Sequence, residues 1–233
     1  MLNYEKRDNG VGLIQMDDGK ANALTPALIG GLMETLNRAE AECETVVLAG
    51  REGRFSAGFD LKLMMASAQS AVSLLKTGVE LYLRLYSFPK PLVLACTGHA
   101  VAGGAVMLCT GDYRIGAEGE FKIGLNEVAL GMPLPIFALD LARERLRPSF
   151  VTEATLLAQI YAPIQALDVG YLDRVVDHDQ VLDVSIAKAA KLGAMDSGAF
   201  NATKKRLRDK TVEHIRATLN DDLKDFVPPA PKK

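Results

Sequence analysis

GHAVAGGAVM at Gly98–Met107 and FSAGFD at Phe55–Asp60 are the two segments that say most about how this chain folds. Each is a turn of small residues after an apolar run, PLVLACT at Pro91–Thr97 and TVVLAG at Thr45–Gly50 respectively. Glycine and alanine add little bulk, so a ligand can approach the backbone of such turns closely. Backbone N–H groups in the first turn of a helix have no partner within the helix and attract negative charge. If both turns face one point, the sequence predicts a pair of backbone donors that stabilise an oxyanion.

Strand and helix patterns alternate through the first half of the chain. The predicted strands are Val11–Met16, Thr45–Gly50, Pro91–Thr97 and Asp112–Ala117, and the predicted helices are one from about Thr25, Ala68–Ser87 and Gly103–Cys109. After Pro133 the pattern is helical except for a short strand at Asp173–Val176. This order predicts an α/β body with a helical C-terminal region.

The composition excludes several classes of protein. Of the 233 residues, 48% are hydrophobic and 24% charged, as in ordinary globular proteins. The formal net charge of −2 gives no electrostatic reason to expect nucleic acid or an anionic membrane, and no apolar stretch could span a bilayer. Cys43, Cys96 and Cys109 lack metal or redox spacing, which indicates reduced, buried thiols. A cytoplasmic location is expected, because the N-terminus resembles neither a signal nor a transit peptide.

The sequence gives little indication of a catalytic nucleophile, a metal site or a nucleotide-binding site. The histidines are His99, His178 and His214, of which His99 alone lies beside a glycine turn. Ser56 and His99 could be imagined in a triad, but no G-x-S-x-G elbow is present. No His, Cys, Asp and Glu grouping has ligand spacing, so no metal is expected. AVAGGA does not match the G-x-G-x-x-G pattern of dinucleotide-binding turns.

Glu127 is a lone carboxylate set among apolar residues in FKIGLNEVALGMPLP, residues 121–135. Burial raises the pKa of such a carboxyl and makes it a poised acid/base. The alternative is a solvated surface charge, which is the commoner fate of glutamate and the expectation for Glu118 and Glu120. Asp60 has a structural interpretation of its own, as the N-cap of a helix that begins LKLMM.

Taken together, these segments resemble the crotonase superfamily, the enoyl-CoA hydratase/isomerase enzymes. FSAGFDLK is similar to its first oxyanion-hole segment, GHAVAGGAVMLCTGDYRIGA to its second, and IGLNEVALGMPLP to its catalytic loop. IQALDVGYLDRVVD at Ile164–Asp177 resembles a downstream segment of the family, and MDDGKANAL at Met16–Leu24 resembles the stretch that lines the coenzyme A site. The resemblance implies an α/β fold of the ClpP/crotonase type, a spiral of ββα units with a helical C-terminal region.

The resemblance also implies a set of site residues. The backbone N–H groups of Ala57 and Gly103 would hold the thioester carbonyl oxygen, and Glu127 would be the catalytic acid/base. The expected substrate and coenzyme A neighbours are Lys20, Ala21, Ala23, Ser56, Asp60, Leu61, His99 and Asn126. Coenzyme A would arrive as part of an acyl-CoA thioester substrate, and no separate cofactor is expected.

The sequence departs from the family pattern at Val106, where hydratases carry a first catalytic glutamate. Moving a double bond from the 3,4 to the 2,3 position needs one base, which removes a proton at C2 and returns it at C4. A Δ3,Δ2-enoyl-CoA isomerase is therefore expected. The alternatives are a hydratase, a thioester hydrolase or a decarboxylase on the same scaffold, or a non-catalytic acyl-CoA-binding protein.

The expected organisation has three parts. A crotonase-like core covers residues 1–190, a helical region shorter than is usual in the family covers 191–226, and a disordered, proline-rich tail covers 227–233. By the resemblance, the chain would form a homotrimer or a dimer of trimers, with no nucleic-acid or membrane partner. KKRLRDK at Lys204–Lys210 has the composition of an RNA-binding helix, although a solvated helix face explains the same run.

Overall fold

The computed structural model describes residues 2–224, whose strands form two sheets. The strands are β1 (Leu2–Lys6), β2 (Val11–Met16), β3 (Thr45–Ala49), β4 (Gly53–Ser56), β5 (Leu92–Cys96), β6 (Gly98–Val101), β7 (Tyr113–Ala117), β8 (Ile123–Gly124) and β9 (Arg174–Val176). The larger sheet has the order β1-β2-β3-β5-β7-β9, and the smaller has the order β4-β6-β8. β1 and β2 are antiparallel, and the remaining pairs are parallel.

Helices cover the larger sheet and form the C-terminal part of the described chain. They are α1 (Pro26–Glu42), α2 (Leu61–Ala66), α3 (Ala68–Tyr86), α4 (Gly103–Leu108), α5 (Ile136–Arg145), α6 (Val151–Thr155), α7 (Pro163–Val169), α8 (Val181–Gly193) and α9 (Ser197–Asp222). Two predicted N-caps are confirmed. The Thr25 hydroxyl accepts a hydrogen bond from Leu28 N, and the Asp60 carboxylate accepts one from Leu63 N.

The central strands β3 and β5 are buried along their whole length. Because side chains alternate along a strand, Val46 and Leu48 face the core beneath α1 and α3, whereas Val47 and Ala49 face α8. A parallel sheet with both faces covered needs such continuous apolar runs, which explains the sequence of Thr45–Ala49. These contacts hold the carboxyl ends of β3 and β5 side by side.

A ββα unit repeats along the chain. β3 leads into β4 and then α2, and β5 leads into β6 and then α4. In each unit the first strand joins the larger sheet and the second joins the smaller. This arrangement confirms the predicted α/β spiral with a helical C-terminal region. The predicted strands of the larger sheet are also confirmed to within one or two residues, whereas β1, β4, β6 and β8 were not predicted.

The C-terminal helix α9 packs on α3 and α5. Lys204 and Arg208 are buried and point inward to the carboxylate of Asp112, at 2.7 Å and 3.0 Å. The basic run at 204–210 is therefore not one continuous solvated face, and two of its cations are structural. The predicted boundary after residue 190 falls within α8. The predicted tail at 227–233 and the last two residues of the 191–226 region lie outside the described residues.

Within residues 2–224, no helix is long and apolar enough to cross a membrane.

Candidate active site

The two predicted turns lie against each other at the ends of the paired strands β4 and β6. Gly58 has a φ of +82°, and a Cβ placed on it would lie 2.6 Å from the backbone N of Gly103. A Cβ on Gly104 would lie 2.1 Å from the carbonyl O of Ser56. Contacts this close require glycine at both positions. The small residues therefore allow backbone-to-backbone packing, and the two turns meet at one point.

Asn22 holds the first turn in place. Its side chain is fully buried, and its Nδ2 donates to the carbonyls of Met16, Arg54 and Phe55 at 3.0–3.2 Å. The Asn22 carbonyl accepts a hydrogen bond from Ser56 Oγ at 2.8 Å, and the same Oγ accepts one from Gly58 N at 3.2 Å. The Ser56 hydroxyl thus stabilises the turn through hydrogen bonds to backbone groups. Sequence reasoning missed Asn22, whose φ of 50° is a conformation that asparagine tolerates better than most residues.

The donor predicted at Ala57 is corrected by the structure. The Ala57 N–H donates to the carbonyl of Ala21 at 3.0 Å, so it is not free to bind a substrate oxygen. Two residues further on, Phe59 pairs with Leu24 through bonds that use Gly58 O and Asp60 N. This pairing leaves the Phe59 N–H without an acceptor in residues 2–224.

Gly103 supplies a second such amide. It begins α4, whose N-cap residue Ala102 provides no side-chain acceptor. Across residues 2–224, the Gly103 N–H has no hydrogen-bond acceptor. Phe59 and Gly103 both line the same cavity. The pair of free donors at this point is therefore Phe59 and Gly103.

A cavity of about 240 Å³ opens beside the two turns. Its apolar walls come from helices, through Leu61, Met64, Leu75, Val106 and Phe137, and from Met132 in the loop before α5. Asn126 and Glu127 contribute the polar side chains of the lining. An apolar wall excludes water and strengthens the electrostatic interactions inside the cavity. The arrangement suits an acyl chain whose polar head lies beside the amides.

Glu127 is the titratable side chain in this cavity. Burial raises the pKa of its carboxyl to about 7, although the backbone N–H groups of Glu127 and Asn126 pull the pKa the other way. Its Oε2 and the Oδ1 of Asn126 are both buried with no partner among the described residues. A carboxyl with this pKa can both accept and return a proton near neutral pH, which is what an acid/base requires.

Val106 lies on the first turns of α4 and lines the cavity with an apolar side chain that is 2% exposed. Glu127 is therefore the one carboxylate that the described residues contribute to the cavity lining. Within residues 2–224, no three His, Cys, Asp or Glu side chains are grouped so as to hold a metal ion. The acid/base chemistry available here is that of a single carboxylate.

The remaining candidate residues fall into two groups. Leu61 and Asn126 line the cavity, whereas Asp60 caps α2 and His99 does not reach the cavity. His99 Nδ1 accepts a hydrogen bond from Lys122 N at 3.0 Å, and its ring packs on Phe121. His99 therefore joins β6 to the segment before β8, and the substrate contact predicted for it stays a prediction.

Lys20, Ala21 and Ala23 belong to the loop before α1. The carboxylate of Asp18 accepts hydrogen bonds from the backbone N–H groups of Lys20 and Ala23, at 2.7 Å and 3.3 Å. The loop touches the first turn through the Ala57–Ala21 bond but does not line the cavity. A coenzyme A contact for these residues stays a prediction.

A spiral of ββα units that brings two glycine turns to one glutamate defines a crotonase-type enzyme, and comparisons with known proteins agree. The chain belongs to the enoyl-CoA hydratase/isomerase family, whose model matches residues 6–231.

Relatives in this family carry out more than one reaction. Human mitochondrial enoyl-CoA delta isomerase 1 is 30% identical over 223 residues, which are 94% of this chain and 74% of the relative. A probable enoyl-CoA hydratase of Bacillus subtilis is 29% identical over 229 residues, 94% of this chain and 86% of the relative. The crystal structure of an enoyl-CoA hydratase/isomerase family protein from Pseudomonas syringae superimposes with a TM-score of 0.94 at 36% identity, covering 97% of this chain and 98% of that one. The particular reaction must therefore be argued from the site.

Proposed function

We propose that this chain is a Δ3,Δ2-enoyl-CoA isomerase in which Glu127 carries one proton from C2 to C4 of the acyl group. The observation that carries the proposal is that Glu127, whose pKa burial raises to about 7, is the single carboxylate that residues 2–224 contribute to a cavity also lined by the two free backbone donors and by the apolar Val106. The similarity to the human delta isomerase supports the same reaction.

The reaction begins with ionised Glu127, which removes a proton from C2 of a 3-enoyl thioester. The electron pair of the broken C–H bond becomes delocalised over a dienolate, and negative charge collects on the thioester oxygen. The N–H groups of Phe59 and Gly103 stabilise this oxygen, because preorganised donors bind developing charge more strongly than the neutral carbonyl. Protonated Glu127 then delivers the proton to C4, which leaves a 2,3 double bond and restores the carboxylate.

The apolar wall favours this reaction over addition of water. Hydration of a 2-enoyl thioester needs three things. A water molecule must be held beside the double bond, one group must take a proton from that water, and another must give a proton to the carbon chain. Two carboxylates perform these tasks readily, whereas residues 2–224 contribute only the carboxylate of Glu127 to the cavity lining, and Val106 on α4 lines it with an apolar side chain. Proton transfer between two carbons of the substrate needs no water, so an apolar cavity with one base is sufficient.

Product analysis tests the proposal. Purified protein is incubated with a 3-enoyl-CoA and, separately, with a 2-enoyl-CoA, and the products are resolved by chromatography and mass. We expect the 3-enoyl-CoA to give a 2-enoyl-CoA of the same mass, and no addition of water to the 2-enoyl-CoA. Addition of water without isomerisation would make the chain a hydratase. Binding of both thioesters without turnover would favour an acyl-CoA-binding protein.

The pH dependence of kcat/KM gives a second prediction. Because the base form of Glu127 starts the reaction, kcat/KM for the 3-enoyl-CoA should rise as the pH is raised through about 7, the value to which burial raises the pKa of Glu127. The measurement is the initial rate at low substrate across the pH range in which the protein stays folded. A rate that is flat between about pH 5 and pH 9 would contradict a role for this carboxyl as the base.

A further inference from the structure

Tyr82 on α3 contacts both segments that carry the free amides. Its side chain is fully buried, and its Oη donates a hydrogen bond to the carbonyl of Gly103 at 2.8 Å. Its ring meets the ring of Phe59 edge-on at 5.9 Å between centroids. On the other side it stacks with Phe137, a residue of the cavity wall, again at 5.9 Å. One side chain therefore joins the two proposed donors to α5.

The fit between Tyr82 and Gly103 is close. A Cβ placed on Gly103 would lie 2.5 Å from Tyr82 Oη and 3.3 Å from Cδ2 of Phe59. The Tyr82 hydroxyl and the Phe59 ring thus pack directly against Gly103, the first residue of α4. A movement of the Gly103 carbonyl away from Tyr82 would break this buried hydrogen bond. Tyr82 does not itself line the cavity.

We propose that Tyr82 is a positioning residue for the oxyanion hole, whose hydroxyl and ring fix the distance between the Phe59 and Gly103 amides. This inference rests on the proposed function, because it concerns the same pair of donors. The physical reason is that donors must lie about 2.7–3.1 Å from the oxyanion to be effective, and small displacements weaken that stabilisation steeply. Tyr82 acts through Gly103 and Phe59, without touching the substrate.

Tyr82→Phe tests the proposal by removing the hydroxyl and keeping the ring. We expect kcat for the 3-enoyl-CoA to fall about 10–100-fold, in the range of small misplacements of catalytic groups. KM should change little, because oxyanion stabilisation is greater in the transition state than in the ground state. The midpoint of the pH profile should stay near that of the wild type, since the variant leaves the surroundings of the Glu127 carboxyl otherwise intact.

Tyr86→Phe is the matched control. Tyr86 lies four residues further along α3 and is 1% exposed, with its ring under the Arg208 guanidinium at 4.3 Å. Each variant removes one tyrosine hydroxyl from α3, and the thermal midpoints of both are measured to separate an effect on stability from an effect on kcat. Only Tyr82→Phe should lose kcat. Equal kcat in the two variants, or a loss confined to KM, would overturn the proposal.

A second reaction separates this inference from the proposed function. Exchange of the C2 hydrogens of a saturated acyl-CoA in D₂O, followed by mass spectrometry, requires enolate stabilisation but no double bond. A wild type that exchanges C2 hydrogens without isomerising would overturn the isomerase proposal, and Tyr82→Phe would still be expected to slow the exchange. A wild type that performs neither reaction would overturn both. Should Tyr82→Phe fail to fold, Gly103→Ala displaces Tyr82 Oη from the other side, and unchanged kcat in that variant would overturn the positioning role.

Discussion

We expect Glu127→Gln to lower kcat for the isomerisation of a 3-enoyl-CoA by about 10²–10⁴-fold, the usual contribution of a positioned acid/base. Glutamine has nearly the same shape as glutamate, so the cavity and the two amide donors should be preserved. The amide cannot remove the C2 proton, and neither Val106 nor Asn126, which lie in the same lining, can take over that role. Binding of a saturated acyl-CoA should remain, because the apolar wall and the amides are unchanged.

The same substitution should stabilise the fold at alkaline pH. The pKa of Glu127 is raised from 4.5 to about 7 by burial, so the carboxyl contributes stability that is present below pH 4.5 and lost as the pH rises through about 7. Above that value the wild type holds a buried negative charge that Glu127→Gln lacks. We expect a free energy of unfolding higher than that of the wild type, by on the order of 3 kcal/mol at most, above pH 7. As the pH falls towards 4.5, the unfolding free energies of the wild type and of Glu127→Gln should become equal.

Glu120→Gln provides the control, because this residue is an exposed glutamate on the neighbouring loop. Its kcat and its unfolding free energy should match those of the wild type at every pH. The measurements are initial rates and chemical denaturation at two pH values for the three proteins. Full activity of Glu127→Gln would remove Glu127 from the mechanism, whatever its effect on stability.

The larger sheet and Glu127 could be predicted from the sequence because their signals are local. Thr45–Ala49 and Leu92–Cys96 are continuous apolar runs, as a parallel strand buried on both faces requires. Glu127 stands close in the chain to the apolar residues Ile123 and Leu125, both of which are buried. Such neighbours are compatible with a buried carboxyl, but most glutamates are solvated, and the family resemblance was needed to choose Glu127. The resemblance to the family then predicted that these segments belong to one fold.

The free N–H of the first turn could not be predicted in this way. Residues 57, 58 and 59 all belong to one turn, and which of them presents a free N–H depends on partners distant in the chain. Ala21 and Leu24 take up the backbone groups on one side and leave Phe59 free. The sequence of the turn itself does not indicate that these residues pair with it. The strands β4 and β6 escaped prediction for a similar reason, since four residues are too few to show an alternating pattern.

The charged helix α9 shows a further limit of local patterns. Lys204 and Arg208 lie in a basic run that looks solvated, yet their partner Asp112 is more than 90 residues earlier in the chain. Asp112 also accepts a hydrogen bond from Leu92 N at 2.8 Å, so one carboxylate joins the sheet to α9. Arg208 in addition donates to the carbonyl of Tyr86 at 2.5 Å. Two cations without this carboxylate would be costly to keep in the interior.

Asp112→Asn should therefore lower the free energy of unfolding by about 3–5 kcal/mol, the range found when one partner of a buried ion pair is removed. The asparagine side-chain oxygen can still accept the hydrogen bond from Leu92 N, so the measured loss of stability reports the removal of the negative charge. The part of the deficit that comes from Lys204 should shrink as the pH rises towards about 8, because burial lowers the pKa of Lys204 to about 8 while Asp112 raises it; without Asp112 the amine loses its proton at still lower pH, and an uncharged amine no longer needs a partner. Denaturation curves at several pH values measure it.

Glu80→Gln is the matched control, since Glu80 pairs with Arg216 and so also links α9 to the rest of the molecule. The two side chains of this pair are about half exposed, at 47% and 54%, and water screens their attraction. The expected cost is about 0.2–1 kcal/mol, without the pH dependence assigned to Lys204. An Asp112→Asn variant no less stable than Glu80→Gln would show that Lys204 and Arg208 find other partners or reach solvent. A tenfold difference in the equilibrium constant of unfolding corresponds to about 1.4 kcal/mol, so the two expectations are readily separated.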